Sequence, residues 1–470
     1  MKKNFTPMMK RWCPLSVFVM SLHSSPTMQA AESPDTKDDI EKVSRQVIKF
    51  TKVHADSLIN LMLYKDRTKG NKDIPVPHFA ISTEDKSFVL SIGGKINPII
   101  GGDLGNNLYQ ISGAGINFTT NAIPVPSQPG KHSDFFINTL NADIDLQIVG
   151  LGGTRNQITG YIQFGANGVN NNISLKKAFV SWYGFTAGRK STLLADDKGG
   201  QPTTIDPQGP SGLVSATVQE IMYQTPRYKG FQGAIGLDIA TFYSSNGRYY
   251  GKDYKEWNNE SAEGELVCDP NYYSQYIPDL PAWVEWEYSD YNRIRLSGVI
   301  RNFLYRDEVQ KEKRHAIGWG LMLSGNLNPI KPLIVYLQAI YGRGLGHYIQ
   351  DFSGLPLSFT PSSQHLGEMV PTPMMGFNLG LSYNFDKKWQ ANTVVSQARL
   401  WDIGAYAIQE SQDPGNINNY RYAVYWATNL LYNFSSYFQI GVEYDYGRRT
   451  TWNAGSGSDS RILTQFMFTF

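Results

Sequence analysis

The chain has 470 residues, and 43 Lys and Arg against 41 Asp and Glu leave it nearly neutral, which excludes the strong basic footprint of a nucleic-acid binder. It carries 28 Tyr, 23 Phe and 10 Trp beside 44 Gly, yet its mean hydropathy is −0.34. Aromatic-rich but polar on average fits a β-barrel with a lipid-facing skin and a wet lumen.

Lys2, Lys3, Lys10 and Arg11 precede a short apolar run from Leu15 to Leu22 and a small-residue stretch ending in Gln29-Ala30-Ala31. That order reads as a secretory signal peptide over residues 1–30, since the apolar run is too short to span a bilayer. Without those four basic residues, 39 of the 43 Lys and Arg face 41 Asp and Glu, a mature charge of −2. Cys13 leaves with the leader, so Cys268 stands alone and neither a disulfide within the chain nor a cysteine metal cluster can form.

Over 35–66 the apolar residues Ile40, Val43, Val47 and Phe50 recur three and four apart, predicting a periplasmic amphipathic helix. The heptad frame then lands on His54 and Ser57, so an oligomerising coiled coil and a helix docked on its own barrel rim both stay open. Residues 67–86, with Gly70, Pro75 and Pro77, read as a linker.

From 87 to 470 the period is two, with no apolar run of 18 residues, so any membrane crossing is by strands. Short turns are expected at Gly150 to Thr154, Tyr183-Gly184, Pro226 to Gly230, Ser289 to Asn292, Leu327 to Lys331, Asn384 to Lys388 and Asn433 to Tyr437. Long loops are expected at about 103–134, 190–214, 244–280, 345–372 and 402–419, with shorter ones near 166–172 and 307–313. This asymmetry, and about 16 strands, predict an all-β, transmembrane antiparallel barrel. A soluble sandwich or propeller would also alternate, but its interior could not carry the charges found at inward positions here. The end of the chain is the clearest case: Ile462, Thr464, Phe466, Phe468 and Phe470 oppose Arg461, Gln465 and Thr469, an aromatic terminus resembling the assembly signal of bacterial outer-membrane barrels.

Several segments could carry selectivity. Arg155, Gln157, Thr159, Tyr161 and Gln163 share one face of a strand. The loop after Arg189-Lys190 holds Asp196, Asp197, Lys198 and Asp206, and as the third long-side loop it is a candidate constriction, a solvated surface loop being the plainer alternative. On the strand Tyr291 to Phe303, Arg293, Arg295 and Arg301 share the lumen face and form a ladder able to hand an anion along the wall. Alternatively they pair with Glu285 and Glu287 on the adjoining strand and brace the wall. No histidine sits in a His-Glu-x-x-His or nucleophile-elbow context, and no cofactor or metal is expected.

The order of parts, with Ala187-Gly188-Arg189, Asp206-Pro207-x-Gly209-Pro210 and Glu220-Ile221-Met222-Tyr223-Gln224-Thr225, resembles the DcaP-like porin family. The likeness in local sequence is concentrated in Phe185 to Thr225. The resemblance implies a homotrimer of 16-stranded barrels in a Gram-negative outer membrane, passive uptake of small organic anions such as dicarboxylates, and Arg189 and Lys190 at the constriction. Met222 departs from the family's preference for a basic residue, and Lys190-Ser191 from a more aromatic segment, which touches the solute more than the fold. The expected function is therefore a porin. A non-conducting adhesin, built on the tyrosine-rich loop at 244–280, and a lipid hydrolase are the alternatives.

Overall fold

The computed structural model describes residues 49–52, 58–59, 62–63, 79–105, 117–126, 135–139, 141–166, 173–240, 248–249, 265–272, 277–289, 292–362, 364–401, 420–452 and 455–470. All fall in the unit Val47–Phe470. The signal peptide and most of the 35–66 helix lie outside the described residues.

Sixteen antiparallel strands close into a barrel. The first two are each interrupted once: β1 is Phe88–Ile96 and Ile99–Asp103, and β2 is Phe135–Asn138 and Ala142–Gly150. Then follow β3 (Ile158–Ala166), β4 (Ile173–Trp182), β5 (Phe185–Ser191), β6 (Thr217–Gln224), β7 (Phe231–Ile239) and β8 (Leu280–Ser289). The longest are β9 (Asn292–Asp307) and β10 (Glu312–Ile330), followed by β11 (Leu333–Arg343) and β12 (Pro373–Asn384). The last are β13 (Trp389–Leu400), β14 (Tyr420–Asn433), β15 (Phe438–Thr451) and β16 (Ser456–Thr469).

Alternation fixes which side of the wall each residue takes. On β9, Ile294, Leu296 and Ile300 are exposed on the outer surface while Arg293, Arg295, Ser297 and Arg301 are buried inside. On β16, Ile462, Phe466 and Phe468 face out, and Arg461, Leu463 and Gln465 face in. The exposed Trp182, Trp286, Trp319, Trp389 and Trp426 continue this apolar skin around the barrel. The expected turns appear between consecutive strands as short links on one side, and on the other side the long connections alternate with short ones at 167–172, 308–311 and 452–455.

The barrel closes where β16 pairs with both segments of β1, Arg461–Gln465 with Asp103–Ile99 and Phe468-Thr469 with Ile96-Lys95. Pro98 lacks a donor and marks the break in β1, where its carbonyl still accepts Phe466 N–H at 3.1 Å. Phe470 and Gly94 exchange two backbone hydrogen bonds of 3.0 Å, and the Phe470 ring stacks near Phe468 at 6.2 Å. Below this seam, the exposed edge of β1 is taken by Phe79–Ser82, which pairs in turn with Lys49–Lys52. Those four residues belong to the expected helix but are extended, because an open strand edge offers more backbone hydrogen bonds than an isolated helical turn can. Leu58-Ile59 and Met62-Leu63 are helical, with Ile59, Met62 and Leu63 buried against Ala80, Val89 and Val149.

Inside, the apolar core lies between the wall and two inward loops. Leu194, Ala195 and Val214 from one loop and Ile349, Phe352, Leu355 and Leu357 from another pack on Val299, Met322, Ile340, Met374 and Ala398. Each fully buried Leu, Ile or Phe contributes about 1.5–3 kcal/mol. Deleting Phe470 removes both hydrogen bonds to Gly94, and with each worth about 1 kcal/mol the closed form should lose stability. The fraction of refolded protein migrating as a compact barrel in unheated gels should fall.

Candidate functional site

The loop joining β5 to β6 turns into the barrel. Its base is closed by Thr192 N–H donating to the Ala216 carbonyl at 2.9 Å, and Leu193 N–H donates to Glu220 at 2.7 Å. Residue by residue it then follows the inner wall. Ser324 Oγ on β10 donates to Asp196 at 2.7 Å, and Asn429 Nδ2 on β14 donates to the Thr203 carbonyl at 2.9 Å. On β15, Glu443 accepts Ile205 N–H at 2.7 Å and Asp206 N–H at 2.5 Å. The chain reverses at Asp206-Pro207-Gln208-Gly209, where the Asp206 carboxylate accepts the Gln208 and Gly209 amides, both at 3.1 Å. Gly209 takes a φ of +73°, which a side chain would resist. On the way back Gly212 N–H donates to Ser396 Oγ on β13 at 2.7 Å, and Ser215 N–H to the Tyr348 carbonyl at 2.9 Å. Gly380 on β12 makes room for this path: a Cβ there would stand 2.3 Å from Pro202 Cδ.

A second clasp joins two loops to the start of β14. Asp351, in the loop after β11, accepts Thr120 Oγ1 at 2.7 Å, Asn121 N–H at 3.1 Å and the Tyr420 hydroxyl. Burial pushes its carboxyl up to about 6, against those hydrogen bonds. His347, four residues earlier, is pushed down to about 4 by burial and by Arg301.

The arginine ladder is brought together and neutralised. Arg293 pairs with Asp196 of the inward loop and with Glu285. Arg295 pairs with Glu285 at 2.8 Å, donates to the Ala195 carbonyl at 3.2 Å and lies 4.1 Å over the Trp283 ring. Arg301 pairs with Asp279 at 2.8 Å beneath Tyr348. Arg293 is 3% and Arg301 0% exposed, and the Arg293 pair with Asp196 ties the loop to the wall. Burial alone would push the Asp196 carboxyl up, but the Arg295 and Arg293 guanidinium groups hold it well below the usual carboxylate range. Glu287 and Glu285 share Arg227, at 3.0 Å and 2.6 Å. Asp197 is half-buried in the same loop.

Two expected lumen residues lie elsewhere. Arg155 is exposed in the short link between β2 and β3, where it donates to Tyr183 Oη and stacks 5.4 Å from that ring. The strand begins only at Ile158, so the polar wall consists of Thr159, Tyr161 and Gln163 without Arg155. Lys190 does face inward, 3.0 Å from Glu220. Arg189, opposite Ala178 and Gln219, takes the outward face with them. Alternation forces this choice, and on a lipid face at mid-depth it would cost about 2–4 kcal/mol.

Sequence reasoning missed a basic site on the part of the wall that carries no contact with the inward loop among the described residues. Lys95 on β1 and Lys176 on β4 share Asp143 on β2, with Lys95 at 3.4 Å, and their side chains remain 35% and 36% exposed. A bulge in the pairing of β3 with β4 sets Lys176 one step out of register, and it lies across Gly165, where a Cβ would come within 2.1 Å of Lys176 Cε. No alternation pattern could place Lys176, because the bulge breaks the alternation. Among the described residues no group of three His, Cys, Asp or Glu is placed to hold a metal ion.

No protein-family model matches the sequence, and no curated protein matches it. Solved structures do. The outer membrane channel DcaP of Acinetobacter baumannii aligns over 83% of this chain and 99% of its own, with a TM-score of 0.62 and 14% identity. OmpT of Vibrio cholerae, expressed in the outer membrane, covers 82% of this chain and 98% of its own at TM-score 0.48 and 10% identity. An anion-selective porin from Comamonas acidovorans covers 82% and 100% at TM-score 0.46 and 11% identity. The likeness to DcaP is one of fold: this chain is a β-barrel of the same build.

Replacing Arg293 by Ala removes the ion pair of the buried Asp196, while Glu285 keeps Arg295 and Arg227, and breaking a buried pair costs about 3–5 kcal/mol. The urea midpoint of the variant in vesicles should drop accordingly, and proteolysis should nick the 192–216 loop first. The Asp351 clasp carries a pH signature. Because its folded-state value lies above the unfolded one, its stabilisation is complete below pH 3.8 and is lost as pH rises through about 6. Exchange at the Asn121 amide, corrected for intrinsic rate, should accelerate across that window, and Asp351→Asn should flatten the response.

Proposed function

We propose that this chain is a diffusion porin of the DcaP-like kind, passing small hydrophilic solutes across the outer membrane with a preference for small organic anions such as dicarboxylates. The carrying observation is the unequal division of the inner wall. The 192–216 loop runs along the wall from β9 to β15, while the wall at Lys95 and Lys176 is free of that loop among the described residues and carries two part-exposed ammonium groups around one carboxylate.

Two cations and one anion leave about a unit of positive charge in a partly wet site, where a solute carboxylate can complete the pairing. The solute is held by Coulomb attraction and hydrogen bonds alone, so it leaves as readily as it enters and transport is passive. Lys190 and Lys198 lie along the same inward strand and loop. Selectivity is thus assigned to lysines, and the buried arginines are assigned to holding the constriction. From the resemblance in sequence, three copies are proposed to associate in the membrane.

Planar-bilayer recording tests both parts. The refolded protein should give stepwise openings with an anion-selective reversal potential, and added dicarboxylate should block them. Lys95→Ser with Lys176→Ser should shift the reversal potential toward cations. An unchanged potential sinks the lysine assignment, and folded protein without conductance sinks the pore.

A further inference from the structure

We infer that Ile59, Met62 and Leu63 form an apolar stopper, seated in the short-turn mouth of the barrel beneath the lysine wall, that restrains flow along that wall. The inference rests on the porin reading and adds to it a device that sets how far the route is open.

The inner wall changes character at this end. Lys95 on β1 stands opposite Asp143 on β2, and six residues nearer the short turns Val89 stands opposite Val149. At about 3.3 Å per residue the two levels are roughly 20 Å apart along the strands. Between them the inward positions are polar, with Ser91 on β1 and Asp145 and Gln147 on β2. Two valines at a mouth that opens to water would lie bare, and the hydrophobic effect favours a cover. Ile59, Met62 and Leu63, spaced three and four apart, share one helix face and pack on both valines and on Ala80.

The seat is specific but light. Gln147 Nε2, on the inner wall, donates to the Leu63 carbonyl at 3.3 Å, and Gln157 Nε2, in the link between β2 and β3, donates to the Met62 carbonyl at 3.3 Å. Gly152, in the same link, leaves the space that Met62 fills, since a Cβ there would stand 2.5 Å from Met62 Sδ. The hold is apolar surface and neutral hydrogen bonds. A body held in this way can leave and return without opening the barrel, because the closing seam of β16 with β1 does not include it. While seated, it obstructs by bulk and by excluding water, which is how an apolar constriction stops ions.

Two measurements on the full chain carrying Cys13→Ser and Cys268→Ser test this. The first reads the seat in refolded protein. A thiol at Met62→Cys should react several-fold more slowly with a charged methanethiosulfonate reagent than one at Leu58→Cys, which is exposed on the same turn. Equal rates overturn the seat. The second reads the flow in planar bilayers. Met62→Ser with Leu63→Ser should roughly double the single-channel conductance, with migration as a compact barrel in unheated gels unchanged. In that background Lys95→Ser with Lys176→Ser should shift the reversal potential further than it does in the chain with its stopper. Conductance no higher than in the chain with Met62 and Leu63 intact overturns the stopper while the pore stands. A higher conductance without the larger shift places the freed route elsewhere and overturns the link to the lysine wall. Folded proteins that conduct in neither form overturn the pore and the stopper together.

Discussion

A strand in a bilayer has no water to satisfy its backbone, so the sheet must leave no edge. In this chain that requirement comes down to one seam, β16 against the interrupted β1, finished by the paired amides of Phe470 and Gly94. Once the seam is closed, pleating alone decides which side chains meet lipid and which meet the lumen. Every later feature, from the tryptophan skin to the buried arginines, depends on that division.

Inside, the dominating problem is charge. Six buried arginines and lysines on β9, β15, β16 and β4 would be prohibitively costly alone, and carboxylates accompany the ladder and Arg461: Asp196, Glu285 and Asp279 on the ladder, Asp103 on Arg461. Pairing of this kind gives position more than stability. Glu285 takes Arg227, Arg293 and Arg295 at once, and through Arg293 it ties the wall to the inward loop. The same chemistry recurs without arginine at Glu443, which binds two backbone amides of the loop tip. The loop is thus held by wall carboxylates and arginines at both ends of its path.

The barrel was legible because period-two alternation, short turns and an aromatic terminus act over many residues, and errors at one position cancel. Ile462, Phe466 and Arg461 take the sides their parity demands. The lumen was legible only in part, because a site is set by single residues. Arg293 and Arg301 face inward as expected, but whether a ladder conducts or braces depends on partners distant in sequence, such as Asp196 and Asp279. Arg189 was placed by resemblance and lies on the opposite face, while Lys176 owes its place to a bulge that no repeat announces. At the N-terminus, Lys49–Lys52 answers to the free edge of Phe79–Ser82, a partner that periodicity within 35–66 cannot reveal.

The anchoring of the inward loop also sets an order of events in time. Asp196 must wait for Arg293, 97 residues later, and Asp206 for Glu443, 237 residues later, contacts of the slow, non-local kind. Glu443 belongs to the penultimate strand, so the loop cannot be fastened until nearly the whole chain has entered the membrane. A truncated or stalled barrel would therefore lack its fastened loop, and the narrowing of the interior is among the last parts of the fold to be fixed.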